Sequence, residues 1–273
     1  MDTNLSIHEK NLKSIKKLLG TKPIIQDVRD TIECLTDDGY WYRYLLDKFD
    51  IALKAEVEYW EIRIALRTLS RVIKPRNYLE IGTRRGWSLA QVLIESPTTQ
   101  AFLFDIWMKN YGGVQNPGPG FVKRELSRCL NQELDLTFVS GNSHDTLPEN
   151  FLGKKQNRLN WIIRNPKPFP ETFDLVTVDG DHSILGAWWD LCDTFPLVSI
   201  GGALVFDDLN YEGDERRYGT IATTRFNDLR PPLPLGLNSL LEVWMEFKRT
   251  QPGFVFIENL DDEPSIGIAF RMK

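Results

Sequence analysis

The 273-residue chain has few of the features that mark secreted or membrane proteins. Its three cysteines, Cys34, Cys129 and Cys192, are widely spaced, contain no C-x-x-C pair and cannot all form disulfides. Such usage is typical of a reducing compartment. No apolar stretch is long enough to span a bilayer, and the first residues lack a signal-type apolar run. We therefore expect a cytoplasmic protein with no membrane partner.

Excess positive charge is also missing. The net charge is −5, which gives no electrostatic basis for binding nucleic acid. No internal repeat or low-complexity tract is present. A hydrophobic content of 42% is enough for a full core. The length fits one large domain, or one domain with an extension.

The first part of the chain is predicted to be helical, from about Leu5 to Ile73. Apolar residues recur there at helical spacing between charged ones, and Pro75 is expected to end the last helix. We divide the chain into an N-terminal helical extension, residues 1–74, and a second domain, residues 75–273. The aromatic cluster Tyr40–Tyr44 either covers a site, forms a subunit interface or packs internally.

After Pro75, short apolar runs alternate with helical segments, a pattern typical of a parallel sheet buried on both faces. Two later runs are separated by a turn at 259–264 and predict an antiparallel hairpin. The expected fold is α/β, a doubly wound Rossmann-like sheet that is mostly parallel. The five parallel runs are Tyr78–Ile81, Ala101–Phe104, Leu136–Val139, Leu175–Val178 and Ala203–Phe206, and the hairpin runs are Gly253–Glu258 and Ser265–Arg271.

The segment Tyr78–Ser88, Y-L-E-I-G-T-R-R-G-W-S, predicts a cofactor turn. A strand ends in Glu80-x-Gly82, and Gly86 opens the next helix, as in folds that receive an adenosine-bearing cofactor. Asp105 ends the next strand, at the separation where an acid reaches ribose hydroxyls. The strict G-x-G-x-x-G spacing needed for a pyrophosphate is absent. S-adenosylmethionine (SAM), which has adenosine and no phosphate, fits this pattern better than a nicotinamide.

Acidic residues also follow two later strands, as Asp179-Gly-Asp181-His182 and Asp207-Asp208. If these strands are neighbours, the carboxylates of Asp179, Asp207 and Asp208 converge and repel each other. A hard divalent cation would remove the conflict, and oxygen ligands favour Mg²⁺ over zinc. The alternative is that each aspartate caps a helix or binds backbone amides.

Small polar residues come directly after the third strand, in G-N-S-H-D-T-L-P from Gly141. They either hydrogen-bond the edge of an adenine ring, or form a strand-to-helix turn in which Ser143 or Asp145 caps the helix.

Five motifs occur in order, each at a strand end: L-E-I-G-T-R-R-G-W-S, F-L-F-D, G-N-S-H-D-T-L-P, F-D-L-V-T-V-D-G-D-H and G-G-A-L-V-F-D-D. With them, the chain from about Ile73 onward resembles a class I SAM-dependent methyltransferase. It is similar to the catechol-O-methyltransferase-like group and to metal-dependent O-methyltransferases of natural-product synthesis. The first seventy or so residues lie outside the resemblance.

The resemblance implies a role for each motif residue. Catechol-type members often have an asparagine at the position of Asp208. Their base is a lysine at the position of His182, whereas natural-product members can use an acid at the position of Asp181, so the base here is either Asp181 or His182. The implied roles are the cofactor turn for Glu80, Gly82 and Gly86, the methionine carboxylate for Ser88, the ribose for Asp105, the adenine face for Ile106, the adenine edge for Ser143 and His144, and the metal for Asp179, Asp207 and Asp208.

The resulting hypothesis is Mg²⁺-assisted O-methylation of a small-molecule hydroxyl by SAM. One alternative is a methyltransferase-like binding protein without catalysis. A nicotinamide-dependent oxidoreductase is the weaker one, since it leaves the three aspartates unexplained. A homodimer is expected because similar enzymes often assemble through such extensions.

Overall fold

The N-terminal part of the chain folds into four helices, as the apolar spacing predicts. In the computed structural model, which describes residues 6–35, 39–109, 116–151, 169–212, 230–261 and 265–273, these helices are α1 (Ile7–Leu18), α2 (Lys22–Cys34), α3 (Tyr40–Ala55) and α4 (Ile62–Ile73). Ser6 and Glu9 form a capping box that starts α1. Helix α4 ends at Lys74, whose φ of 53° is left-handed, directly before Pro75.

The rest of the described chain builds one seven-stranded sheet, in the order β3-β2-β1-β4-β5-β7-β6. Strands β1 to β5 are parallel, and β7 lies antiparallel between β5 and β6. All seven predicted strands and the hairpin are therefore confirmed. The strands are β1 (Asn77–Ile81), β2 (Gln100–Asp105), β3 (Asp135–Ser140), β4 (Phe173–Val178), β5 (Val198–Phe206), β6 (Phe254–Asn259) and β7 (Ile266–Arg271).

Helices cover both faces of the sheet, which confirms the doubly wound Rossmann-like fold. Buried side chains alternate along each strand: Tyr78 packs into one apolar cluster with α1 to α6, while Leu79 packs into a second cluster with α7 to α9. The later helices are α5 (Trp87–Glu95), α6 (Pro119–Leu130), α7 (Ser143–Phe151), α8 (Ile184–Thr194) and α9 (Leu240–Thr250), with a short 3₁₀ helix at Phe195–Leu197.

The N-terminal extension contacts the rest of the protein through the packing of α4 and through a hydrogen bond to the end of β6. Helix α4 packs on α5 and on the sheet, and its buried residues share a core with β1, β4 and β5. The carbonyl of Trp60, just before α4, accepts a 2.6 Å hydrogen bond from Asn259 at the end of β6. The boundary at residues 74 and 75 stays a prediction.

Strand order brings the predicted motifs to one edge of the sheet. Ile81 at the end of β1 is in register with Phe104 of β2 and Val178 of β4, and Val178 with Phe206 of β5. The turns after these strands therefore meet near the point between β1 and β4 where the strand order reverses. This is the usual ligand position in such folds.

Several predicted loops fall partly outside the described residues. The glycine-rich segments 108–120 and 210–220, after the second and fifth predicted strands, are expected from the sequence to be loops over the site, and residues 110–115 and 213–220 of them are not described. The basic, proline-rich segment 153–170 is expected to be a surface insertion, and nearly all of it lies outside the described residues, as does half of the turn at 259–264. Among the residues that the structure describes, no helix has the length and apolarity to cross a membrane.

Candidate cofactor and metal site

The turn after β1 can be built only with glycine at position 82. Gly82 has a φ of +88°, and a Cβ atom there would lie 1.7 Å from the carbonyl oxygen of Asp179. The backbone is held on both sides, since the Gly82 amide donates to Phe104 and the Asp179 amide donates to Ile81. The turn therefore rests directly on the residue that begins the acidic loop after β4.

Gly86 starts helix α5 with a φ of +79°. A Cβ atom there would lie 2.9 Å from Cγ1 of Val122 in α6, so the two helices approach closely at this point. No side chain caps α5. Its first amides, with the positive end of the helix dipole, are therefore directed at the turn without a side-chain acceptor.

Glu80 lies beneath this turn and is fully buried. Ser88 Oγ donates a hydrogen bond to Glu80 Oε1, whereas Oε2 has no partner. Burial raises the pKa of Glu80 to about 8, against the lowering effect of the Ser88 bond. The Ser88 hydroxyl is hydrogen-bonded to Glu80 at the start of α5, and its role at the methionine carboxylate stays a prediction.

Asp105, at the end of β2, is 8% exposed and accepts from two backbone amides. Oδ2 accepts from Arg84 at 2.6 Å, and Oδ1 accepts from Trp107 at 2.5 Å. Burial raises the pKa of Asp105 although both bonds oppose it. The carboxylate thus fastens the cofactor turn to β2. Ile106 beside it is 47% exposed, which leaves an apolar face open. The ribose and adenine roles of these two residues stay predictions.

The predicted adenine-edge residues begin helix α7, and their side chains turn inward. His144 is fully buried, and its Nε2 lies 3.1 Å from Asp181 Oδ2. Its Nδ1 lies 3.3 Å from Asp190 Oδ1, the same atom that accepts from Ser143 Oγ at 2.8 Å. The imidazole of His144 is therefore engaged within the protein, and the roles implied for Ser143 and His144 at the adenine edge stay predictions.

Asp181 belongs to this same internal network. Its second oxygen accepts from the Ser183 amide at 2.9 Å, at the start of α8. Burial alone would raise the pKa of Asp181, but the bonds to His144 and Ser183 lower it. A carboxylate engaged on both oxygens and packed against Gly186 is a poor general base. These contacts favour His182 over Asp181, and the identity of the base stays a prediction.

We expect His144→Ala to destabilise the protein strongly. The substitution leaves the buried carboxylates of Asp181 and Asp190 without their shared partner, which costs about 3 kcal/mol or more. At roughly 2 °C per kcal/mol for a domain of this size, thermal unfolding should shift down by about 6 °C or more. His8→Ala in α1 is the control. Equal melting temperatures for both variants would show that the network is not stabilising.

The acidic loop after β4 meets the end of β5 in a cluster of three side chains. Donor atoms of Asp179, His182 and Asp208 all lie within 4.8 Å of one another. His182 Nε2 is 3.3 Å from Asp179 Oδ1 and 3.5 Å from Asp208 Oδ2. Burial lowers the pKa of His182, but the bond to Asp179 and the charge of Asp208 outweigh it and raise the pKa to about 9. Asp208 has a left-handed φ of 58°, which is uncommon outside glycine.

Asp207 lies behind this cluster, 7% exposed, and its Oδ1 has no hydrogen-bond partner. Burial, together with the like charges of Asp208 and Asp179, raises its pKa well above the usual range. Two of the three predicted metal ligands, Asp179 and Asp208, therefore lie together, and the role of all three as ligands stays a prediction. His182 stands among them, which the sequence spacing alone did not indicate.

An open pocket with an empty volume of about 540 Å³ lies over the turn between Gly82 and Ser88 and reaches Asp179. Its other wall comes from the N-terminal helices, through Trp41, Tyr42 and Arg63. The ring of Tyr42 lies 6.1 Å from that of Trp87 in α5. The aromatic cluster of α3 thus covers the site, one of the interpretations left open by the sequence.

The sequence of this region also matches a known family. Residues 79–209 fit a family model described as a methyltransferase domain. These residues form a methyltransferase domain. The match spans most of β1, all of β2 to β5, the cofactor turn and the acidic cluster. It confirms the predicted methyltransferase over the nicotinamide alternative. No curated protein matches the chain.

Solved methyltransferase structures are similar to this chain at low identity. The O-methyltransferase TomG from Streptomyces achromogenes, involved in tomaymycin synthesis and solved with SAM, is 15% identical, with 88% of this chain and 92% of that chain covered and a TM-score of 0.48. An O-methyltransferase from Bacillus cereus, in complex with SAH, is 15% identical, with coverage of 76% and 79% and a TM-score of 0.42. The SAH-bound methyltransferase PaMTH1 from Podospora anserina is 15% identical, with coverage of 77% of each chain and a TM-score of 0.42.

Part of the methyltransferase pocket was missed by the sequence reasoning. Arg63, Trp41 and Tyr42 lie outside the matched residues, and no motif marks them. One signal was available: Glu61 precedes the apolar run of α4, where an acid caps a helix, so Arg63 is placed in the first turn of α4 next to the sheet.

Proposed function

We propose that the protein transfers a methyl group from SAM to a hydroxyl oxygen of a small molecule, with Mg²⁺ or another hard divalent cation assisting. The observation that carries this proposal is the contact between the two halves of the site. Gly82 of the cofactor turn packs on the backbone of Asp179, whose carboxylate belongs to the acidic cluster. A cofactor on the turn and an acceptor at the cluster would therefore be neighbours.

The residues of the cluster fit a hard cation. Asp179 and Asp208 offer oxygen donors within 4.8 Å of each other, and Asp207 keeps a buried oxygen without a partner. Carboxylates that crowd in this way repel each other unless a positive charge joins them. The cation, when bound, would supply Lewis acidity that lowers the pKa of the acceptor hydroxyl and orients its oxygen.

The protein's own residues would then position the reactants and move one proton. His182 is the base that its position at the cluster favours, because Asp181 is engaged elsewhere. A bound cation would offset the negative charges of Asp179 and Asp208 that raise the pKa of His182, and would thus favour the neutral form that accepts a proton. It would take the hydroxyl proton as the acceptor oxygen forms a bond to the methyl carbon and the carbon–sulfur bond breaks, leaving S-adenosylhomocysteine. The walls of the pocket would hold the two reactants in line and exclude water.

The net charge of −5 argues against a nucleic acid as the acceptor, and we propose a small molecule in its place. A cytoplasmic location and a homodimer remain predictions of the same hypothesis.

The test has two steps on the purified protein. Calorimetric titration with SAM should give one-to-one binding. Incubation with SAM, Mg²⁺ and a panel of catechols, phenols and sugar hydroxyls should then give a product heavier by one methylene, with fragmentation that places the methyl on oxygen. Binding without transfer across the panel, in protein that is demonstrably folded, would favour the non-catalytic alternative. Absence of SAM binding would overturn the proposal.

A further inference from the structure

Arg63 comes from the N-terminal extension and lies in the cofactor pocket. It is the second residue of α4, and its side chain lines the pocket with Ser88 and the turn that begins at Gly82. Its guanidinium carbon is 5.7 Å from the ring centroid of Trp87, the first residue of α5. The positive charge of Arg63 therefore lies beside the uncapped start of that helix.

Contacts from below fix the position of the Arg63 guanidinium. Glu61 caps α4 by accepting from the amides of Arg63 and Ile64, and its other oxygen pairs with Arg63 Nη1. Glu61 is fully buried, whereas the side chain of Arg63 is 21% exposed. Arg63 Nε is buried and has no hydrogen-bond partner. The Arg63 guanidinium is thus an oriented cation at the edge of the pocket.

The acidic residues that follow β4 and β5 lie close enough to Arg63 for the charges of Asp207 and Asp179 to act on its guanidinium. The site therefore places a cation beside carboxylates, which suits a ligand that carries an anion and a cation a few bonds apart. The amino acid end of SAM, with its carboxylate, ammonium and sulfonium groups, is such a ligand.

We propose that Arg63 binds the carboxylate of the amino acid end of SAM, together with the first amides of α5. This inference rests on the proposed function and assigns a cofactor contact to the N-terminal extension. A guanidinium paired with a carboxylate is among the stronger contacts available to a protein.

The test compares SAM with decarboxylated SAM, which keeps the sulfonium and the ammonium and lacks only the carboxylate. Arg63→Gln should weaken the binding of SAM by about 10- to 100-fold. It should change the binding of decarboxylated SAM by less than about twofold, because that ligand has nothing for Arg63 to hold. Calorimetric titration of each ligand into the full chain gives both constants.

Two further variants keep the result interpretable. The double variant Glu61→Gln/Arg63→Gln removes both charges, so that no buried carboxylate is left unpaired if Arg63→Gln unfolds. Arg71→Gln removes an arginine of the same helix that pairs with Glu95 away from the pocket, and it should leave both ligands unaffected. Equal losses for the two ligands, or no loss of SAM binding, would overturn the role of Arg63. Failure of the wild-type protein to bind SAM would instead overturn the proposed function.

Discussion

Replacing Gly82 with alanine is expected to destabilise the protein by about 3 kcal/mol or more and to abolish SAM binding. Two costs add together. The φ of +88° is unfavourable for any residue with a Cβ atom, and that atom would lie 1.7 Å from the Asp179 carbonyl oxygen. Relief requires the ends of β1 and β4 to separate, although Asp179 is bonded there to Ile81. Separation would disrupt the cofactor turn and the acidic loop together.

A matched glycine isolates the steric part of this effect. Gly236 has a φ of +86°, and a Cβ atom there would meet nothing within 4 Å. Gly236→Ala should therefore cost only about 1–2 kcal/mol, the backbone part. Urea or thermal unfolding of both variants, with SAM titrations, measures the difference. If the two substitutions cost the same, close packing of the turn on Asp179 is not what fixes glycine at position 82.

Asp208→Asn is expected to lower the rate of methyl transfer by about 10-fold while SAM binding stays within about twofold of the wild type, because asparagine still offers an oxygen to the cation but carries no charge. A tenfold loss corresponds to about 1.4 kcal/mol of transition-state stabilisation. Asparagine suits the test because it has nearly the same shape and tolerates the left-handed φ of 58° at this position. The substitution therefore removes charge from the cluster with little backbone strain.

The measurement pairs transfer assays with metal titration. Mn²⁺ binding followed by its electron paramagnetic resonance signal should weaken in Asp208→Asn, and chelation should inactivate the wild type reversibly. Asp30→Asn in α2, a carboxylate that is 60% exposed, serves as the control and should keep full activity. A chelated wild type and an Asp208→Asn variant that both transfer methyl groups at full rate would rule out the assistance of a metal.

Features with a short sequence signature were predicted well. Strands such as Leu175–Val178 are apolar runs that end in acids or glycines, and parallel pairing brings those ends to one edge of the sheet. The turn at Gly82 and Gly86, the position of Asp105 and the convergence of Asp179 with Asp208 all follow from that pattern. Each of them depends on backbone topology more than on side-chain direction.

The features that were not predicted are side-chain directions and contacts between distant parts of the chain. The local sequence Gly-Asp-His does not indicate that the side chain of Asp181 points inward to His144 while that of His182 points to Asp208. The partner of His144 is 37 residues away, so its burial depends on how α7 and α8 pack. Arg63 was missed for the same reason, because its place in the pocket depends on how α4 packs against α5.

The bond between Asn259 and the Trp60 carbonyl joins residues 199 positions apart in the chain. Trp60 directly precedes the Glu61 cap of α4, so the wall of the pocket that carries Arg63 is fastened by the end of β6. During synthesis on a ribosome, the N-terminal helices and β1 to β5 emerge long before β6 and β7. Nascent chains therefore contain the complete set of motif residues before this fastening exists, and the pocket is completed only when the C-terminal hairpin docks.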